Sequence, residues 1–350
     1  MCNIAGYIGK KQAAPVLIEM MKRQEGFFGG YYTGITIHDG QSLHSAKVIG
    51  TTQTLVEEKE VASLTGTTGF MHSRSKSGGK VEWAHPFTSN DGQISYVANG
   101  WRGKMLTPDG NEQRKKAAAD LWKKGYQFTS KVEGAIGDYL QPEENVSIHD
   151  SEFMCQYIVS LIDKGMSVDA AMSKAMSDFP TEIVALVMNA RKPETIFVSR
   201  MNFPMMIGIA EDGDTYLAST VFAFPEDVKF RVIEFLPAKA TYEVFRGGYR
   251  MSAEPITIDD IPSVTPDIWH KAYEFFENHL KNCKDNPQDM WTLTKLCNAF
   301  WEEGNAHQCD YVLYETLRAF HKEGRLRIVK REEEGAFPEY KTVQFSVYLE

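Results

Sequence analysis

A chain of 350 residues, 43% apolar and 24% charged, has material for one large domain or two and the composition of an ordinary globular protein. Its net charge of −9 excludes a general affinity for nucleic acid or for anionic membranes. No stretch approaches the roughly 18 apolar residues of a membrane span, and the first twenty residues lack the pattern of a secretory signal. Cys2, Cys155, Cys283, Cys297 and Cys309 are odd in number and without CxxC spacing, which argues against a disulfide framework or a zinc site. These features predict a cytoplasmic protein with reduced thiols that acts on a small polar substrate or a protein partner.

From Asn3 to about Tyr249 apolar, β-branched runs alternate with turn signals and a few helical patterns, which predicts a sheet-rich α+β domain. Strands are expected at 4–8, 33–38, 42–49, 66–72, 94–98, 182–188, 195–200, 206–209, 215–218, 229–235 and 241–245. Asp39-Gly40 and Asp212-Gly213 lie between paired runs and supply the positive φ that a tight hairpin needs. Helices are expected at 13–24, 113–124, 151–164 and 168–179. Across 251–267 the composition shifts, with Pro255, Pro262 and Pro266 among acidic and small residues, as in an extended linker. The remainder, 268–350, reads as helices at 268–281, 290–303 and 309–323, then strands at 326–330 and 343–349. Helices followed by a terminal hairpin describe a mainly helical, winged-helix-like module. From residue 255 onward there are 17 acidic and 11 basic side chains, a net of −6, whereas duplex binding requires clustered cations. The module is therefore expected to bind a protein partner or the domain before it. Tyr311, Tyr314 and Phe320 repeat at near-helical spacing and are expected in its core. The basic run Arg325, Arg327, Lys330 and Arg331 is the feature that would suit a DNA-contacting wing.

The candidate chemistry sits at the start, Met1-Cys2-Asn3-Ile4-Ala5-Gly6-Tyr7-Ile8-Gly9. Removal of Met1 would leave an N-terminal cysteine. A thiol is nucleophilic as thiolate, and a free α-amine with a pKa of about 7.7–8.0 can accept its proton at neutral pH, so one residue would provide nucleophile and base. Alone, such a start is also a chance event, and the rest of the chain decides.

That rest is specific. The opening segment with Ala13-Ala14-Pro15-Val16-Leu17, then His72-Ser73-Arg74, Ala84-His85-Pro86, Asn99-Gly100 and Asp150-Ser151-Glu152, keeps the order and nearly the spacing of the glutamine-site segments in class II glutamine amidotransferases. Over residues 2–250 the chain resembles the glutaminase domain of glucosamine-6-phosphate synthase. The resemblance implies a four-layer αββα N-terminal-nucleophile hydrolase sandwich that splits glutamine into glutamate and ammonia without metal or organic cofactor. It implies Cys2 as nucleophile and Asn99 with the Gly100 N–H as oxyanion donors. Arg74 would fork onto the substrate α-carboxylate, Asp150 would take the α-ammonium, Ser77 would add a hydroxyl, and His85 would support the site loop. Read singly, Arg74 could be a surface arginine, Asp150 a helix N-cap and Asn99-Gly100 a strand-end turn.

The chain also departs from that family around the substrate. Asn3 replaces the usual glycine. The segment 26–34, Gly-Phe-Phe-Gly-Gly-Tyr-Tyr-Thr-Gly, lacks the family's arginine and aspartate. The loop 74–79 lacks its tryptophan and histidine, and an insertion at about 130–149 precedes Asp150. The residues after 250 leave no room for a sugar-phosphate isomerase, and neither a phosphoribosyl-binding acidic run nor a pyrophosphate loop is present. The ammonia acceptor is thus expected on another chain, a separate synthase, with homo-oligomerisation left open. Rival readings are an amidase for another amide and a glutamine-sensing regulator.

Overall fold

The computed structural model describes residues 2–105, 109–256, 264–297 and 308–350, and for 101–105 the backbone alone. Two large antiparallel sheets dominate. One is seven-stranded, in the order Phe230–Phe235, Met206–Ala210, Thr215–Ala218, Asn3–Ile8, Thr68–Arg74, Tyr32–His38, Leu43–Ile49. The other is six-stranded, in the order Gly248–Met251, Ala240–Phe245, Ile196–Arg200, Thr181–Asn189, Ile94–Met105, Phe87–Thr88. Both predicted hairpins form: Tyr32–His38 pairs with Leu43–Ile49 and Met206–Ala210 with Thr215–Ala218, across Gly40 at φ 100° and Gly213 at φ 90°.

Three apolar clusters show how these sheets are covered. Ile4, Ile8 and Phe70 of the first sheet share a cluster with Val97, Val184 and Leu186 of the second, so the sheets meet face to face. The far side of the first sheet packs on the helix Ala13–Gln24, and that of the second on the helices Asp150–Ile162 and Val168–Asp178. Strands buried on both faces read as continuous apolar runs, which is why the central ones were visible in sequence.

Several elements differ from expectation. The strand begun at Ile94 runs on to Met105, so Asn99-Gly100 is not a strand-end turn. A helix at Thr52–Lys59 buries only Thr52 and Leu55, too narrow a stripe for periodicity to reveal. Part of the insertion forms a small sheet of Val132–Glu133, Val146–Ile148 and Leu140–Glu143. Residues 257–263 of the expected linker, and the end of the expected helix 290–303, lie outside the described residues.

The C-terminal part contains the helices Pro266–Lys281, Met290–Cys297 and Cys309–Lys322 and a sheet of Gln288–Asp289, Lys341–Leu349 and Leu326–Glu334. Tyr314 and Phe320 are buried as expected and Tyr311 partly so. This part is not held apart from the sheets. Phe27 packs edge-on against Tyr314 and Phe345, with ring centroids 4.9 and 5.2 Å away, and Phe28 likewise against Trp291 at 5.3 Å. Phe345 N donates to Gly26 O at 3.1 Å and Thr342 Oγ1 to Gly30 O at 2.8 Å. Lys330 Nζ donates to Lys22 O and Arg23 O at 2.6 and 2.7 Å.

Gly26 sits at this seam with φ 87°, and a Cβ there would lie 2.3 Å from Val343 O. Left-handed backbone costs a side chain roughly 1–2 kcal/mol and overpacking about 1–3 kcal/mol. Gly26→Ala should therefore lower unfolding stability by about 2 kcal/mol or more, measured by urea titration; an unchanged midpoint would show that the seam carries little stability.

Candidate active site

Cys2 precedes the strand Asn3–Ile8, which lies against Thr68–Arg74 in the register Asn3 with Ser73 and Ile4 with His72. Across the interface, the Asn99 side chain meets the Cys2 backbone twice. Cys2 N donates to Asn99 Oδ1 at 2.9 Å, and Asn99 Nδ2 donates to Cys2 O. A carboxamide nitrogen carries two hydrogens, so one N–H of Asn99 remains after this bond is made. Gly100 follows beside a register shift between the strands, and a Cβ on it would meet Glu182 O at 2.3 Å. The close approach requires glycine.

Cys2 is half-buried and opens into a cavity of about 370 Å³ that Arg74, Ser77, His85, Gly100 and Asp150 also line, within the range usual for small-molecule sites. The structure thus gathers every expected site residue at one cavity except Asn99, which stands behind it on the Cys2 backbone. Burial pushes the Cys2 thiol up, but the charge and hydrogen bond of His72, the charge of the amino terminus and the Ser75 N–H outweigh it and bring the thiol down to about 6. Cys155 and Cys283 are pushed up by burial, and Cys297 by its hydrogen bond with Cys309 and by burial. Thiolate character at neutral pH is thus a property of Cys2.

Arg74 is not a surface arginine. It is 1% exposed, its guanidinium lies 4.6 Å from the Tyr32 ring, and its Nη2 donates to Ser77 Oγ and Gly78 O, both at 2.8 Å. Its Nη1 is buried with no hydrogen-bond partner. A buried cationic N–H without an acceptor is costly, and Arg74 lines a cavity that could receive an anion. Ser77 therefore holds Arg74 in addition to lining the cavity. His85 is buried and stacks on His72, centroids 3.9 Å apart. Burial, followed by the charges of His72, His149, Arg74 and Lys47, holds His85 well below the usual histidine range.

Asp150 opens the helix Asp150–Ile162, but the cap is His149, whose Nδ1 accepts from Ser151 N at 3.1 Å. Asp150 is left to face the cavity, where Arg114 Nη1 lies 3.0 Å from its Oδ1, both side chains about nine-tenths buried. Glu152 has a structural task, accepting Thr129 N, Thr129 Oγ1 and Ser130 N at 2.7–2.8 Å.

Sequence reasoning missed Arg114 and Trp291, and it assigned no role to His72. Arg114 had a signal: it falls in line with Ala118 and Leu121 on one helix face, and all three are buried, so an inward-facing arginine was readable. Trp291 lines the same cavity from the C-terminal part; nothing local in its sequence points there.

No family model matches the chain. Over 230 residues it is 29% identical to glutamine–fructose-6-phosphate aminotransferase (isomerizing) of Methanosarcina acetivorans, a match covering 64% of this chain and 33% of that protein. The protein of the same name from Thermococcus kodakarensis is 27% identical over 229 residues, covering 65% and 33%. The chain thus spans about a third of the length of the curated relatives it matches. Among solved structures, glutamine phosphoribosylpyrophosphate amidotransferase from B. subtilis superposes with a TM-score of 0.56 at 16% identity over 74% of this chain and 50% of that one. The structure of the allosteric regulatory enzyme of purine biosynthesis does so with 0.56 at 17%. In fold the chain is similar to a glutamine phosphoribosylpyrophosphate amidotransferase. In sequence it is similar to glutamine–fructose-6-phosphate aminotransferases, matched over about a third of their length.

Breaking a buried ion pair from one side costs about 3–5 kcal/mol. Arg114→Met should accordingly destabilise the chain by about 3 kcal/mol, and the double variant with Asp150→Leu should be less destabilised than the sum of the two single variants. Additive effects in urea unfolding would show that the pair is not coupled.

Proposed function

We propose that this chain is a glutaminase in which Cys2 attacks the glutamine carboxamide and passes through a thioester. The observation that carries this is one shared cavity, lined both by Cys2, whose thiol is lowered, and by Arg74, whose buried Nη1 has no partner. Glutamine carries an amide at one end and a carboxylate at the other, and a thiolate and a guanidinium match that pair.

The steps follow from the groups present. The thiolate forms the C–S bond as the carbonyl electrons move to oxygen, and the free N–H of Asn99 with the Gly100 N–H receives the oxyanion. Once Met1 is removed, the α-ammonium of Cys2 donates a proton as the C–N bond breaks and ammonia departs. Water then attacks the thioester, releasing glutamate and restoring the thiol. Arg74 binds the α-carboxylate, with Ser77 holding the guanidinium, and Asp150 the α-ammonium. The ammonia is used by a synthase on another chain.

The architecture is read as a four-layer αββα N-terminal-nucleophile sandwich over 2–250, followed by a linker, 251–267, and a winged-helix-like module, 268–350. The three apolar clusters support the layers, and the helices closed by a hairpin support the module. A wing that grips DNA needs cations to spare. Here Arg325 pairs with Glu277 and Glu323, Arg327 with Glu350, and Lys330 with backbone carbonyls, so the module is assigned to protein contacts. Among the described residues no helix is long and apolar enough to cross a membrane.

One observation favours a second substrate. Asp150 already faces Arg114, so an amide without a free α-ammonium would not have to share that carboxylate. Comparing glutamine with N-acetylglutamine decides between them; higher kcat/KM for the acylated amide would replace glutamine as the substrate.

Ammonia release should vanish in Cys2→Ala and fall by about 100- to 1,000-fold in Asn99→Ala, while Arg74→Lys should mainly raise KM because the fork is lost. With the thiol at about 6, kcat/KM should rise through pH 6 as the thiolate forms, well below the 8.5 of an ordinary cysteine. Full activity in Cys2→Ala would remove the nucleophile, and an acid limb above pH 8 would remove the thiolate resting state.

A further inference from the structure

The opening strand and its neighbour place a second group beside the nucleophile. Alternate residues of a strand share a face, and diagonal partners on adjacent antiparallel strands lie within side-chain reach. With Ile4 opposite His72 and Asn3 opposite Ser73, Cys2, Ile4, His72 and Arg74 share the face turned toward the second sheet. There His72 Nε2 lies 3.0 Å from Ala98 O. A carbonyl oxygen accepts only, so Nε2 carries the proton, and in the neutral ring Nδ1 is the basic atom. That atom is fully buried and has no hydrogen-bond partner, while the Cys2 thiol is near enough for the charge of His72 to lower it.

The surroundings decide how many protons this cluster can hold. His85 is stacked on His72 and kept neutral by burial and then by His72, His149, Arg74 and Lys47. Tyr314 from the helix Cys309–Lys322 is close enough to feel the charge of Cys2, and burial, reinforced by Asp310 and Cys2, keeps its hydroxyl neutral. Arg74 brings a fixed positive charge on the strand of His72 itself. The ring nitrogens of His85 are unpartnered too, but burial keeps that ring neutral, which leaves His72 as the base offered by the strand beside Cys2 among the described residues.

We propose that His72 takes the Cys2 thiol proton in the resting enzyme and holds the thiolate as its ion-pair partner. The proton passes from Sγ to Nδ1, Nε2–H stays on Ala98 O, and the pair is neutral overall. The inference rests on Cys2 being the nucleophile of the proposed hydrolysis. It divides the labour of that site: His72 forms the thiolate before substrate arrives, and the α-ammonium is left to protonate the amide nitrogen as it departs as ammonia.

Alkylation of Cys2 by iodoacetamide, followed by mass of the N-terminal peptide across pH, reads the thiolate without any turnover. The wild-type rate should rise with a midpoint near 6. In His72→Gln the midpoint should move up toward about 8.5, the value of an ordinary cysteine, with alkylation at pH 6 at least about tenfold slower. Because His72 is buried, the reciprocal measurement guards against misfolding: NMR titration of the His72 ring in Cys2→Ala. Two groups that share a proton titrate as a pair, so removing the thiol should change the pH response of the ring. An unchanged alkylation profile in folded His72→Gln, or an unchanged ring titration in Cys2→Ala, would overturn the proposal. Absence of ammonia release from any amide, with the His72-dependent shift intact, would sink the hydrolysis and leave the ion pair standing.

Discussion

The site depends on a polar bridge between two sheets that otherwise meet through apolar side chains. Cys2 stands at the start of the central strand of one sheet and Asn99 on an interior strand of the other, and their two hydrogen bonds fix Cys2 against Asn99 and Gly100. Because backbone groups left unpaired between packed sheets are costly, the Asn99 amide stabilises the fold while it sets the geometry. The same residue cannot be moved by one strand position without turning its side chain to the opposite face. Gly100 adds the second constraint, since only a residue without Cβ fits against Glu182 O.

The residues around the loop 26–30 form one physical arrangement. Asn3, which is buried, accepts Phe28 N at 3.1 Å and Gly29 N at 2.7 Å and donates to Gln24 O at 3.2 Å. The loop is thereby held from beneath by the Asn3 side chain. From above it is held by Tyr314, Phe345 and Thr342. Phe27 and Phe28 would be exposed without that cover, and they join the cluster that runs from both sheets into the C-terminal helices. The loop sequence and the C-terminal part are therefore interdependent: an apolar loop needs the cover, and the cover has no room for a charged one.

Legibility followed burial. Strands with both faces covered, such as Thr181–Asn189, announce themselves as apolar runs, and the Asp-Gly turns fixed two hairpins. The strand beyond Gly100 was not readable, because its register shift interrupts alternation. Site residues were legible as an ordered set, since Cys2, Arg74 and Asp150 are unremarkable one at a time and come from three distant segments. What could not be read was pairing across distance. Nothing in the sequence joins Arg114 to Asp150, or Trp291 to the cavity of Cys2, because those contacts are set by the packing of whole elements.

That packing also bears on what the C-terminal part does. Trp291 lines the Cys2 cavity while its ring sits edge-on to Phe28, and Tyr314 stacks on the same loop close enough to Cys2 to feel its charge. Folded cores are close-packed and do not yield continuously, so a partner cannot displace this part without uncovering Phe27 and Phe28 and opening the wall of the cavity. A module tethered by a loose linker could carry a separate task. One whose aromatic side chain lines the cavity of Cys2 cannot be separated from it, and whatever binds its outer surface acts on a structure that already includes that cavity.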